Sequence, residues 1–178
     1  MVVLFLANGF EEIEALTPLD LLRRVSVEVV TVGVGGKSIT GSHGITVMAD
    51  TDTLPKGDIN MVILPGGMPG AANLDVSPMV ADALARTKAT GGYLCAICAA
   101  PMVLGHQGYL VGRRAVCFSG FEEELTGAEI VPDAFVVRDG DVITAKGMGA
   151  ALDFGLALVA ALKDEDTARN LRAAVMTP

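Results

Sequence analysis

Short unbroken runs of apolar residues alternate along this chain with longer amphipathic segments. Unbroken runs are typical of strands buried on both faces, and amphipathic segments are typical of helices. Strands that alternate with helices predict a doubly wound parallel sheet with helices on both faces. The predicted strands are Val2–Ala7, 26–32, 45–48, Met61–Leu64, 91–98, 114–118, and a hairpin of 134–138 and Val142–Ala145 around Asp139-Gly140.

Five helices are predicted between these strands, over residues 10–24, 78–87, 98–106, 150–162 and 164–175. The first begins with three glutamates and ends with two arginines, which suits the helix dipole. Pro18 cannot donate a hydrogen bond to the carbonyl of Glu14, so we expect distortion there. The apolar face predicted for this helix consists of Ile13, Leu16, Leu19 and Leu22.

Length and composition narrow the class of protein. The chain has 178 residues, of which 51% are hydrophobic, and this predicts one domain, 1–178, with a full core. The net charge of −8 argues against nucleic-acid and anionic-membrane partners. The N-terminal apolar run lacks a basic leader, and no apolar run approaches the roughly 18 residues that span a bilayer. Three cysteines cannot all pair, so we expect a reduced, cytoplasmic protein.

Cys98 ends an apolar run and is followed by Ala99, Ala100 and Pro101. Small neighbours and a proline suited to a helix's first turn predict a sharp strand-to-helix turn that exposes the Cys98 side chain. The dipole of the following helix favours a thiolate, which is the reactive form of cysteine. The alternative, a buried cysteine within an apolar strand, stays open on residue types alone.

Candidate chemistry collects where predicted strands end, because ligands of open parallel sheets bind at the carboxyl ends of the strands. Four stretches satisfy this condition: Asn8-Gly9 leading to Glu14, Gly66-Gly67, Cys98, and Cys117-Phe118. Cys95 lies within the strand that leads to Cys98, about 10 Å away at strand spacing, so a disulfide between them is disfavoured. The chain offers no second Cys/His pair for a structural zinc site, and no metal is expected.

The two histidines are weak candidates. His106 lies about two helical turns beyond Cys98 and is interpreted as a residue of the helix C-terminus. His43 lies in a loop. Solvent, a site and a partner subunit are the open alternatives for its surroundings, and a surface position is favoured on residue type. The glycine-rich loop after Leu64 lacks the Gly-Lys-Ser/Thr ending of a phosphate loop, so nucleotide binding there is rejected.

Four motifs nevertheless stand together in order: Glu12-x-Glu14, Leu64-Pro65-Gly66-Gly67, Ala96-Ile97-Cys98-Ala99-Ala100-Pro101 and Gly147-x-Gly149. With these motifs the whole chain resembles the ThiJ/PfpI superfamily, especially the branch of bacterial YajL and the parkinsonism-associated deglycase. The resemblance implies a flavodoxin-like sandwich of the class I glutamine amidotransferase type, a homodimer and no cofactor. It also implies a cytoplasmic stress protein, with glyoxalase, deglycase, chaperone or redox-sensing activity.

The resemblance assigns roles to particular residues. The reactive cysteine corresponds to Cys98 and its acid to Glu14, with backbone donors at Gly67 and Ala99 beside Gly66. The histidine that often accompanies the cysteine is replaced by Phe118, which disfavours a peptidase because a peptidase needs a base. His43 aligns near an arginine that close relatives carry at the dimer interface, so it is a candidate from the partner subunit.

The function expected is cofactor-free conversion of a small reactive carbonyl such as methylglyoxal to lactate, with Cys98 as nucleophile and Glu14 as proton shuttle. Two anions in contact repel, so a thiolate at Cys98 requires a protonated Glu14 that donates to the sulfur. Two alternatives remain open: a redox sensor or chaperone that uses an oxidisable Cys98, and an inactive structural relative.

Overall fold

The computed structural model describes residues 1–177. Six strands form its central sheet: β1 Val2–Ala7, β2 Val29–Val34, β5 Met61–Leu64, β6 Tyr93–Ile97, β9 Val136–Asp139 and β10 Val142–Ala145. They lie in the order β2-β1-β5-β6-β10-β9. Five strands run parallel, and β9 joins antiparallel at one edge through the predicted Asp139-Gly140 hairpin. This mixed, mostly parallel sheet flanked by helices confirms the predicted fold class.

Two short two-stranded sheets stand beside the main one, formed by β3 Ser38–Thr40 with β4 Thr46–Met48, and by β7 Arg114–Ala115 with β8 Glu129–Ile130. The helices are α1 Glu12–Arg24, α2 Gly70–Asp75, α3 Pro78–Ala89, α4 Pro101–His106, α5 Ala151–Leu162 and α6 Glu165–Ala174. Short 3-10 turns lie at Glu122–Glu124 and Met148–Ala150.

Alternate residues of each central strand enter two separate hydrophobic cores. On one face Leu4, Ile63 and Cys95 pack with side chains of α1, α5 and α6. On the other face Phe5 and Val62 pack against α2, α3 and α4. Period-two alternation within strands buried on both faces produces this division.

The order of the strands places a crevice between β1 and β5. The chain leaves β1 toward β2 on one side and later returns as β5 and β6 on the other. This reversal makes the carboxyl ends of β1 and β5 the topological switch point, where open α/β sheets bind ligands.

Some local predictions were wrong. The second strand is Val29–Val34 rather than 26–32, because Ser26 adopts a left-handed conformation, with φ of 56°, that turns the chain between helix and strand. The predicted strand 114–118 pairs only over Arg114–Ala115, and α2, β3 and β8 were not predicted.

The predicted apolar face of α1 was correct only in part. Leu22 is buried and Leu19 packs against the core, whereas Ile13 is 47% exposed and the buried face also carries Ala15 and Pro18. The helix continues through Pro18 without interruption. Pro18 packs instead against Gly155 of α5, where an added Cβ would lie 3.1 Å from the proline Cα.

Candidate functional site

Cys98 occupies the turn between β6 and α4 in a left-handed conformation, with φ of 64°. This conformation is costly for a residue with a side chain and is typical of nucleophile elbows. Two hydrogen bonds hold the turn: the Cys98 N–H donates to the carbonyl of Ala145 over 2.9 Å, and the Phe118 N–H donates to the Cys98 carbonyl over 2.8 Å. The predicted elbow is therefore present.

Glu14 reaches the same place from the first turn of α1. It is buried, its Oε2 accepts the Gly66 N–H over 3.0 Å, and a hydrogen bond joins its carboxyl group to the Cys98 sulfur. An added Cβ on Gly66 would lie 2.6 Å from both the Cys98 Cβ and the Glu14 Oε2. Only glycine at position 66 lets the carboxyl group, the loop and the elbow meet.

Backbone N–H groups of Gly67 and Ala99 hydrogen-bond to the Cys98 sulfur and lower its pKa. The structure thus brings together Cys98, Glu14, Gly66, Gly67 and Ala99, all of which were named from the sequence. Phe118 lies beside them through its backbone bond to Cys98, with its side chain 50% exposed.

The pKa values of Glu14 and Cys98 depend on more than the helix dipole. Burial raises the pKa of Glu14 from 4.5 to about 7, against the opposing effect of its hydrogen bond with Cys98. Burial and the neighbouring Glu14 carboxylate raise the pKa of Cys98 from 9.0 to about 12. These shifts outweigh the favourable N–H groups, in agreement with the prediction that an ionised Glu14 beside Cys98 raises the pKa of the thiol. Between about pH 7 and about pH 12 the two side chains instead share one proton and one negative charge.

His43 does not join this group. Its Nδ1 lies 2.9 Å from Glu12 Oε2, its backbone N–H donates to Glu12 Oε1 over 2.9 Å, and its side chain is 71% exposed. In residues 1–177 no hydrogen bond joins His43 to Cys98 or Glu14. The sequence interpretation of a surface histidine is confirmed.

His106 ends α4, as predicted, where its two ring nitrogens lie 2.9 Å from Asp75 and 2.9 Å from Glu124. Cys95 is fully buried in β6, and all three cysteines are free.

Glu11, Glu12 and His43 form the one group in the described part of the chain whose ligand atoms lie close enough to hold a metal ion, within 4.8 Å of one another. These atoms already have partners. Glu11 Oε2 accepts the Glu14 N–H as the N-cap of α1, and Glu12 accepts four hydrogen bonds from residues 42–45. These hydrogen bonds explain why the three side chains lie together: they attach the loop between β3 and β4 to the first turn of α1.

Sequence reasoning missed the role of Glu12. Its carboxylate is buried against the loop between β3 and β4, and an added Cβ on Gly41 would overlap this carboxylate. Burial raises the Glu12 pKa, but hydrogen bonds from His43 and Ile45 outweigh burial and lower the pKa to about 2. The motif Glu12-x-Glu14 therefore combines one anchoring carboxylate with one that lies at Cys98.

The arrangement of residues around Cys98 agrees with the protein family that the sequence matches. A sequence model of the DJ-1/PfpI family matches residues 1–161. The chain belongs to the DJ-1/PfpI family. The DJ-1/PfpI assignment confirms the resemblance to the ThiJ/PfpI superfamily that the four motifs indicated.

Individual relatives match over nearly the whole chain. The Parkinson disease protein 7 homolog of Danio rerio is 32% identical over 177 residues, covering 96% of this chain and 94% of the relative. The glutathione-independent glyoxalase DJR-1.2 of Caenorhabditis elegans is 30% identical over 165 residues, covering 90% of this chain and 87% of that protein. The crystal structure of a DJ-1 superfamily protein from Salmonella typhimurium has a TM-score of 0.91 and 36% identity, covering 99% of this chain and 98% of that chain.

No helix within residues 1–177 combines the length and apolar character needed to cross a membrane.

Proposed function

We propose that this protein converts 2-oxoaldehydes such as methylglyoxal to 2-hydroxy acids without a cofactor, with Cys98 as the nucleophile and Glu14 as the proton shuttle. The observation that carries the proposal is the buried Glu14 carboxyl group, which is hydrogen-bonded to the Cys98 sulfur at the switch point of the sheet. The glyoxalase relative from Caenorhabditis elegans supports the same class of reaction.

The first step would be addition of the Cys98 sulfur to the aldehyde carbon of the substrate. The proton shared with Glu14 passes to the aldehyde oxygen, which gives a neutral hemithioacetal and leaves Glu14 as a carboxylate. The N–H groups of Gly67 and Ala99, which point at the sulfur, stabilise negative charge during this step.

The second step would be an internal transfer of hydrogen. The Glu14 carboxylate removes the proton from the former aldehyde carbon and returns it to the neighbouring carbon, while the hydroxyl proton passes to the ketone oxygen. The aldehyde carbon is thereby oxidised to a thioester, and the ketone carbon is reduced to an alcohol. Water then cleaves the thioester, releases lactate and restores the thiol, so no external oxidant or reductant is consumed.

Burial suits Glu14 to both roles. A carboxyl group with a pKa of about 7 is present in both protonation states near neutral pH, which is the condition for efficient acid–base exchange. A carboxylate at its ordinary pKa would hold no proton to deliver.

The test is loss of methylglyoxal without glutathione, with lactate measured directly, for wild type, Cys98→Ser and Glu14→Gln. We expect Cys98→Ser and Glu14→Gln each to reduce kcat/KM by at least about 100-fold. Alkylation of Cys98 by iodoacetamide at pH 7.5 should persist or accelerate in Glu14→Gln, because an anion that raises the thiol pKa is removed.

Glu123→Ala is the matched control, since Glu123 is exposed and lies outside the site. Wild-type turnover by Glu14→Gln would contradict the proposed proton shuttle, and turnover by Cys98→Ser would contradict the proposed nucleophile.

A redox switch is the second candidate, because the Cys98 sulfur is bordered by the hydrogen-bonding groups of Glu14, Gly67 and Ala99. These groups would hold the oxygens of a sulfinic acid formed by mild peroxide. Consumption of peroxide in proportion to protein, with no turnover of 2-oxoaldehydes, would favour this function over the first.

Homodimer formation and a cytoplasmic location complete the proposal. Ile13 and Ile45 are both exposed, and the Ile45 N–H donates to the carboxylate of Glu12, the residue before Ile13 in α1. Two exposed isoleucines in this region suit a symmetric contact between two copies of the chain.

A further inference from the structure

An apolar pocket of about 330 Å³ adjoins the candidate site. Its walls carry three large, exposed hydrophobic side chains: Phe118 at 50%, Phe135 at 61% and Met148 at 55% exposure. Exposed apolar side chains scattered singly need no explanation, but three that converge on one concave surface mark a binding site.

The pocket connects directly with the site. Phe118 is bonded through its N–H to the carbonyl of Cys98. An added Cβ on Gly147, another lining residue, would lie 3.2 Å from the Phe118 ring and 3.9 Å from Glu14 Oε1. A substrate attached to the Cys98 sulfur would therefore direct its remaining substituent past Gly147 and into this pocket.

The chemistry of the walls indicates which substituent fits. Two phenyl rings and a thioether favour an aromatic group, through ring–ring and sulfur–ring contacts. The one cationic lining residue, Lys146, is already paired: its Nζ donates to the carbonyl of Pro132 over 2.7 Å and lies over the Phe135 ring, 5.9 Å from the ring centroid. The methyl group of methylglyoxal would leave most of the pocket unfilled.

We infer that the preferred substrates are 2-oxoaldehydes with an aromatic side group, which Phe118, Phe135 and Met148 receive. This inference rests on the proposed function. Phenylglyoxal is the simplest such substrate, and its product with one water molecule is mandelate, formed by the same internal oxidation and reduction that converts methylglyoxal to lactate.

The test compares kcat/KM for phenylglyoxal and methylglyoxal, with mandelate and lactate as measured products. In a variant carrying Phe135→Ser and Met148→Ser, the ratio of the two constants should fall about 10-fold or more. Both side chains are more than half exposed, so the fold should not depend on them. Val76→Ser, which removes a 78% exposed valine elsewhere, is the control and should keep the wild-type ratio.

A binding measurement separates this inference from the proposed function. Acetophenone, which lacks the aldehyde, should bind the Cys98→Ala protein and lose at least about 10-fold in affinity when Phe135→Ser and Met148→Ser are added. If no 2-oxoaldehyde turns over but acetophenone binds in this way, the proposed function fails and the aromatic pocket stands.

An unchanged ratio together with unchanged acetophenone affinity would overturn the inference. Conversion of a wild-type dimer to a monomer by Phe135→Ser and Met148→Ser would also overturn it, because the surface would then be a contact between two copies of the chain.

Discussion

At the scale of single residues, the position of a carboxyl group decides what it does. Glu11, Glu12 and Glu14 are chemically identical, yet the first caps α1, the second anchors a hairpin and the third lies at the Cys98 sulfur. The pKa falls to about 2 for Glu12 and rises to about 7 for Glu14. Glu14 lies deeper in the protein, so burial dominates and raises its pKa, whereas the hydrogen bonds that Glu12 receives outweigh burial and lower its pKa.

The raised pKa of Glu14 makes folding stability depend on pH. The folded state holds the Glu14 proton more tightly than the unfolded chain does, so the stabilisation is complete below pH 4.5 and is lost as pH rises through about 7. Above pH 7 the buried charge lowers the free energy of unfolding by about 3 kcal/mol.

When the pH rises from 4 to 8, the free energy of unfolding of Glu14→Gln should therefore increase by about 3 kcal/mol relative to that of wild type. Urea unfolding of both proteins at these two pH values measures the difference. A difference that does not change with pH would show that Glu14 has its ordinary pKa in the folded protein.

At the scale of secondary-structure elements, the first turn of α1 connects parts of the molecule that are distant in sequence. Glu12 holds the loop between β3 and β4 through the N–H groups of His43 and Ile45. Glu14 holds the loop after β5 through Gly66. One helical turn therefore positions both a hairpin and the candidate site.

Glu12→Ala should release the hairpin and leave the elbow in place. The His43 amide loses its carboxylate acceptor, and we expect its hydrogen exchange to accelerate at least about 10-fold, since hydrogen bonds to charged groups contribute about 1.5–3 kcal/mol. The Cys98 amide, bonded to Ala145, should keep its exchange rate. Equal exchange at His43 in Glu12→Ala and Glu123→Ala would contradict the anchoring role.

Elements with a strong local signal were predictable from sequence, and those that depend on tertiary contacts were not. The buried runs of β1 and β5 and the turn at Cys98 follow from unbroken apolar residues and small neighbours. Strand β3 carries one buried residue, Ile39, in three, so it has little pattern of its own. Helix α2 begins after the glycine-rich loop and spans six residues, too few for a helical pattern of apolar residues to repeat.

The members of the candidate site were predictable, and so was the direction in which Glu14 affects the pKa of Cys98, but the size of the pKa shifts was not. The ends of β1, β5 and β6 meet at one edge because parallel strands share a direction, so Glu14, Gly66 and Cys98 converge as expected. The pKa shifts arise from burial and from distances of a few ångströms, which spacing along the chain does not encode. The aromatic pocket joins residues 118, 135 and 148, which no single motif connects.

At the scale of the whole molecule, the exposure of Ile13 changes the interpretation of α1. Helical spacing assigned Ile13 to the core, yet the core of α1 uses Ala15, Pro18 and Leu22. In the proposed homodimer a second copy of the chain would cover Ile13.

Ile13→Glu should weaken or abolish the proposed dimer, since two copies would place like charges close to the symmetry axis. Sedimentation velocity at micromolar concentration should give a dimer for wild type and a monomer for Ile13→Glu. Val76→Glu, an equivalent change at an exposed residue after α2, should remain dimeric. A monomeric wild type would contradict the assembly.

Ile13 and Glu14 are consecutive residues, so the surface proposed to meet a second copy and the carboxyl group at Cys98 share one turn of helix. Dilution would then lower the activity, because separating two copies exposes the start of α1 to water and loosens the residues that position Glu14. Specific activity per chain should therefore fall as protein concentration drops below the dimer dissociation constant, which would make cellular abundance a determinant of rate in its own right.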